Sequence, residues 1–229
     1  MGDGGSVAVL HLWGVDRVRT ALRHMATDRR GLRGVPGLRF AKLLGTGSGE
    51  TFTVRDADPH HWALLTVWDD PADAERFDAG PLVGGWDGFA HERLRVTLRP
   101  LVARGTWAGR TPFEVVAPPT TDGPVAAITR ARLRPSRALT FWRAVPPVSA
   151  DLVGSCGLRL TVGVGEAPVG LQGTFSLWDS ADDLRAFAYR SAPHLEAIRR
   201  TAEVDWYAEE LFARFAVLDA VGTYRGRTP

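Results

Sequence analysis

The chain has 229 residues, of which 45% are hydrophobic, 9% aromatic and 24% charged, the profile of a folded globular protein and not of a disordered, collagen-like or disulfide-stapled chain. It carries 28 basic and 26 acidic side chains, a formal net charge of +2, and the arginines read as scattered, so no nucleic-acid partner is expected. No apolar run approaches the roughly 20 residues of a transmembrane segment. The first residues show no signal peptide, and the single Cys156 has no internal disulfide partner, so a cytoplasmic protein is expected.

In chain order, a β-branched run at 7–13 predicts a first strand. A helix is expected over 16–27, with Asp16 as its N-cap. A second strand over 39–44 leads into a glycine-rich turn, and a third covers 62–68. Acidic residues at its end open a helix over 71–79, where they suit the positive helix N-terminus. The same order then recurs. A strand is expected over 125–132, a helix over 136–144 capped by Ser136, strands over 157–162 and 173–178, and a helix over 181–190. The second copy adds a longer helix from Pro193 to about Ala213 and a last strand.

The recurrence is visible in the residues. Gly105-Thr106-Trp107-Ala108-Gly109-Arg110 returns as Gly222-Thr223-Tyr224-Arg225-Gly226-Arg227, and Trp68-Asp69 with Phe77 returns as Trp178-Asp179 with Phe187. Gly47-Ser48-Gly49-Glu50 returns as Gly163-Val164-Gly165-Glu166, and the opening strands match as well, with offsets of 110 to 118 in unbroken order. A period this long means two small domains rather than a solenoid. The division is 1–110 for the first half, 111–124 for a Pro/Thr/Gly-rich linker and 125–229 for the second half. The order β-α-β-β-α-β is ferredoxin-like. The fold class is therefore α+β: tandem ferredoxin-like repeats forming an intrachain dimeric α+β barrel, with the two sheets covering each other around a cavity.

Chemistry-bearing motifs are few. Gly45-Thr46-Gly47-Ser48-Gly49 lacks both the GxGxxG spacing and a following helix, so it reads as a turn. No cluster has zinc-ligand spacing. His60, His61 and His24 read as solvated, and His11 as a hydrogen-bonded histidine of a core or cavity wall. His194 stands where the repeat breaks. It opens a helix behind Ser191 and Pro193, with Ala197 and Ile198 on its face at i+3 and i+4. A neutral imidazole over an apolar patch suits an axial haem ligand, and it equally suits a surface histidine. The eight tryptophans read mainly as core. Arg130 and Arg132 share a strand face with Ile128, an odd place for charge without an anion.

Several segments together resemble the spheroidene monooxygenase family. They are Leu44-Gly45-Thr46-Gly47-Ser48-Gly49-Glu50, Ala103-Arg104-Gly105-Thr106-Trp107-Ala108-Gly109-Arg110, Thr174-Phe175-Ser176-Leu177-Trp178, His194-Leu195-Glu196-Ala197-Ile198 and Trp206-Tyr207-Ala208-Glu209-Glu210-Leu211. The resemblance implies a haem-dependent monooxygenase-like oxidoreductase acting on an apolar small molecule, a carotenoid or another natural-product intermediate. It implies non-covalent haem b, with iron held by His194 and the cofactor flanked by Ala197 and Ile198. Arg130 becomes a catalytic candidate as a propionate or distal polar contact. An electron donor would be needed as a partner, and a homo-oligomer is compatible. Haem-binding barrels of this kind include aldoxime dehydratases and chlorite dismutases. Nitrogen-centred haem chemistry (aldoxime dehydration or nitrene transfer) and a non-catalytic haem carrier therefore stand as alternatives.

Overall fold

The computed structural model describes residues 5–49, 54–116, 120–137, 140–141, 151–166, 171–190, 196, 199–200 and 203–229. Eight strands are ordered β1 (Val7–Val15), β2 (Leu38–Gly47), β3 (Ala57–Trp68), β4 (Ala90–Gly105), β5 (Val125–Leu133), β6 (Leu158–Gly165), β7 (Leu171–Trp178) and β8 (Tyr207–Gly222). The helices described over their whole length are α1 (Val18–Thr27), α2 (Pro71–Asp78), α3 (Pro81–Asp87) and α4 (Ala181–Arg190). The strands close into one antiparallel barrel, β1-β3-β2-β6-β7-β5-β8-β4. Within it each half keeps the ferredoxin-like order, β4-β1-β3-β2 and β8-β5-β7-β6. Two seams join the halves. β4 pairs with β8 over most of its length, while β2 and β6 share only three residue pairs.

Alternation along the strands sorts inside from outside. Leu10, Leu12, Leu65, Leu94, Val96, Ile128, Phe175, Leu177, Ala213 and Phe215 point inward and form one continuous apolar cluster. The interior is therefore a packed core, and the expected cavity between the sheets is corrected: an eight-stranded barrel is just wide enough for side chains to fill. Outside, α1 and α3 cover Trp13, Leu43, Trp62 and Leu64 of the first half, and α2 covers Val7, Val9 and Trp68.

The predicted helix beyond residue 193 is corrected in part, because residues 207–213 belong to strand β8. Leu211, Ala213 and Phe215 alternate into the core, so period two wins over helix propensity there. The cap of α1 is also corrected: Arg17, not Asp16, holds the cap position, without a side-chain hydrogen bond. Pro135–Arg137 forms a 3-10 turn, and most of the expected helix over 136–144 lies outside the described residues.

The repeated Gly-Thr-aromatic turns close the barrel ends. Trp107 and Tyr224 are buried against the core cluster. Each turn is held by a glutamate of the other half. Glu209 accepts from Thr106 Oγ1 at 3.0 Å and the Gly109 amide at 2.7 Å. Glu92 accepts from Thr223 Oγ1 at 3.1 Å and from the amides of Arg225 at 2.8 Å and Gly226 at 2.9 Å. Gly105 and Gly222 begin these turns at φ of 84° and 102°, and a Cβ there would overlap the carbonyl oxygens of Glu210 and Arg93.

Burial alone would raise the pKa of Glu92. Donation from the Gly226 amide, His61, the Arg225 amide and Thr223 outweighs it and holds the carboxyl at about 2. Glu209 is likewise held at about 2, with burial outweighed by the Gly109 amide, Arg130 and Thr106. Both folded pKa values lie below the unfolded one. Their stabilisation is complete above about pH 4.5 and is lost as pH falls toward 2. The thermal midpoint should drop across that window. The double variant Glu92→Gln/Glu209→Gln should melt lower at neutral pH and show a shallower acid slope; an unchanged slope would remove the carboxylates from the account.

Candidate functional site

The two halves can be compared position by position through their strand registers. Val7 faces Trp68 as Val125 faces Trp178, and His11 faces Leu64 as Thr129 faces Thr174. Leu43 faces Leu64 as Gly163 faces Thr174. The outer face of the first sheet is bulky. Its Trp13 stacks on Trp86 with centroids 5.1 Å apart and on His11 at 5.1 Å. His11, Trp13 and Leu64 are wholly buried there.

In the second sheet the same places hold Thr129 for His11, Ala131 for Trp13, Thr174 for Leu64 and Gly163 for Leu43. Thr129 is exposed and Thr174 and Ala131 are half-buried. The outer face of the second sheet is thus a strip cleared of bulk. Its far end is covered, as Val125, Ala127 and Trp178 pack under Ala181 and Leu184 of α4. Phe212, 40% exposed, borders the strip from β8, at the place of Arg95 in the first half.

The glycine-rich segment of the first half reaches this strip. A Cβ on Gly163 would lie 2.9 Å from the amide nitrogen of Gly49 and 3.1 Å from the carbonyl oxygen of Gly47. A Cβ on Gly49, at φ 72°, would meet the Thr174 methyl at 3.6 Å. Gly45 and Gly47 are strand residues of β2, so this segment is a crossing of two backbones rather than only a turn. That crossing needs glycine on both sides.

The sequence-derived candidates fall into two groups. His194, Ala197 and Ile198 lie outside the described residues, in the segment that follows α4. In the first half the segment after α2 is α3, whose Val83 and Trp86 pack on Trp13 and Leu64. Arg130 is described, and it points inward beside Ile128 as expected. Its anions, however, are the protein's own. It donates to a Glu209 oxygen, and to Glu166 Oε1 at 3.0 Å, and lies 5.6 Å from the Trp107 ring centroid. Glu166 also takes Trp107 Nε1 at 2.6 Å and Lys42 Nζ at 2.5 Å. Burial would raise Glu166, but the hydrogen bonds from Lys42 and Trp107 and the Lys42 and Arg130 charges bring its pKa below the usual value. Arg130 therefore sits at a barrel end, on the face opposite the cleared strip. The buried guanidinium has Glu166 and Glu209 as its counter-charges.

Two histidines, His61 and His24, differ from expectation, whereas His11 meets it. His61 is not solvated but bridges Asp58 at 2.8 Å and Glu92 at 3.0 Å. His24 Nδ1 donates to the Asp28 carboxylate at 2.8 Å, against the rings of Trp86 and Phe89. His11 is a buried, hydrogen-bonded histidine, 2.9 Å from Asp78. Burial lowers its pKa more than the Asp78 hydrogen bond and charge raise it. Sequence reasoning missed the strip itself. Its signal was present in the repeat, as small residues standing where the first copy has Trp13 and His11.

No family model matches the chain. A spheroidene monooxygenase of Rhodobacter capsulatus is 38% identical over 227 residues, spanning 98% of this chain and 94% of the relative. Another, of Rubrivivax gelatinosus, is 42% identical over 195 residues, 85% of this chain and 74% of the relative. A third, of Cereibacter sphaeroides, is 36% identical and covers 91% of this chain and 64% of the relative. Among solved structures, an aldoxime dehydratase in complex with butyraldoxime superposes with a TM-score of 0.64 at 13% identity, over 95% of this chain and 81% of that one. That likeness is one of fold. With 38% identity along almost its whole length, the chain belongs to the spheroidene monooxygenase family and is an oxidoreductase.

Proposed function

We propose that the protein is a haem-dependent monooxygenase acting on a carotenoid, with its cofactor on the outer face of the second sheet. The observation that carries the placement is the exchange of Trp13, His11, Leu64 and Leu43 for Ala131, Thr129, Thr174 and Gly163 at matched register. A flat group needs a flat floor, and small side chains on a strand face supply one. The described residues fit such a group: the floor is open at Thr129, and Phe212 offers an aromatic border. His194, Ala197 and Ile198, which the family resemblance implies as haem contacts, lie outside the described residues.

In this reading His194 would hold the iron, Ala197 and Ile198 would contribute to the cofactor site, and with no CxxCH the attachment would be non-covalent. Haem, when bound, supplies the oxygen and one-electron chemistry that side chains lack. The chain's own residues bind and orient. The cleared strip would bound the pocket that holds cofactor and apolar substrate together, and the Gly47–Gly49 crossing would wall it on the side of the first half. The carotenoid as substrate rests on the named relatives. An external electron donor completes the reaction.

Turnover under controlled oxygen tests the reading. The haem-loaded protein with a reductant should oxygenate an acyclic carotenoid in air and stop when oxygen is removed. Turnover of an oxime without oxygen would replace it with nitrogen-centred chemistry. Inactivity combined with ready transfer of haem to apo-acceptors would make the protein a carrier.

A further inference from the structure

Basic charge is concentrated in one stretch of the chain, residues 17–33. Arg17, Arg19, Arg23, Arg29, Arg30 and Arg33 are all exposed, on α1 and the turns around it. Among the described residues none of the six forms an ion pair with a carboxylate. The acids of this stretch are engaged elsewhere. Asp28 accepts from Trp86 Nε1 at 3.0 Å and contacts His24, and Asp16 faces His91 at 3.4 Å.

Two apolar features accompany the charge. Leu22, 52% exposed, stands between Arg19 and Arg23 on the outer side of α1. Beside the helix lies a cleft of about 610 Å³ whose lining includes Arg29, Leu32 and Arg33 together with Lys42, Arg110 and Glu166. Guanidinium groups without a carboxylate partner beside the exposed Leu22 match a phosphate that carries hydrocarbon. Basic residues clustered on and beside an amphipathic helix are a footprint of an anionic lipid surface; here Arg19 and Arg23 lie on α1, Arg17 caps it and Arg29, Arg30 and Arg33 follow it.

We propose that this face docks the protein on an anionic phospholipid membrane. Among the described residues no helix is long and apolar enough to cross a membrane, so contact through this face would be peripheral. A nucleic acid fits less well, since the exposed large side chain of this face is the aliphatic Leu22, with no aromatic ring for base stacking. The choice of a lipid over an acidic protein rests on the carotenoid reading above, because a substrate of that kind dissolves in membranes. The charge argument itself does not depend on haem or turnover.

The test is co-sedimentation of the full chain with vesicles of phosphatidylglycerol or of phosphatidylcholine, read without substrate. Binding should be strong to the first, weak to the second, and should fall steeply with salt. The variant Arg19→Gln/Arg23→Gln/Arg30→Gln should partition on the order of a hundredfold less, at about 1 kcal/mol per arginine. The corresponding lysine variant should retain binding, and both should keep the wild-type thermal midpoint. Equal binding to both vesicles, or wild-type binding by the glutamine variant, would overturn the proposal. So would retention on RNA or on an acidic protein at a salt concentration that releases the vesicles. Vesicle binding without carotenoid turnover would sink only the substrate reading, and turnover without vesicle binding only the docking surface.

Discussion

Ala131→Trp should abolish haem retention while leaving the fold intact. The substitution restores, in the second half, the residue that fills the first. Trp13 is fully buried and stacks on Trp86 and His11, so a tryptophan at residue 131 would cover the floor that Thr129 leaves open. An indole adds far more apolar surface than the alanine it replaces. It sits on a sheet face rather than in the packed core, so overpacking strain is small. We expect haem affinity and carotenoid turnover to fall at least a hundredfold, with a thermal midpoint within a few degrees of wild type. A control, Ala131→Val, should do much less. Normal haem uptake by Ala131→Trp would move the cofactor away from this strip.

Arg130→Leu should cost stability, and chiefly stability. The guanidinium is 4% exposed, and its partners Glu209 and Glu166 are 9% and 16% exposed. Removing one partner of a buried charge cluster costs about 3–5 kcal/mol, because the stranded charges stay desolvated. Glu209 keeps Thr106 and the Gly109 amide, and Glu166 keeps Lys42 and Trp107, so the lower end of that range is expected. The loss should appear as a lower midpoint in denaturant, with haem affinity unchanged in the folded fraction. Weakened haem binding at unchanged stability would return Arg130 to the cofactor site.

Sequence carried the fold well because the repeat carried it. Two copies of β-α-β-β-α-β, each needing cover for one sheet face, leave few arrangements besides mutual cover. What the repeat could not tell was whether the sheets would enclose a cavity or a core. That depends on the inward residues of all eight strands meeting at once, and Leu, Val, Ile and Phe fill the space. The run 207–213 misled because helix formers such as Ala208, Glu209, Glu210 and Leu211 sit in a strand fixed by its pairing with β4 and β5. Arg130 was placed on the right face, yet its counter-charges come from positions 166 and 209, and spacing along one strand does not show them. Glu92 and Glu209 were invisible for the same reason, since each acts on a turn of the other half. The cleared strip is different. It emerges only when the copies are laid in register, and strand pairing supplies that register.

The most direct test of the account is a haem titration of the purified protein, followed by its Soret band, in parallel with His194→Ala and His11→Ala. One haem per chain should bind the wild type and His11→Ala. His194→Ala should lose the histidine-ligated spectrum and bind far more weakly, while melting like wild type in the haem-free form. An unchanged Soret band and affinity in His194→Ala, or loss of haem in His11→Ala instead, would contradict a cofactor site in the second half.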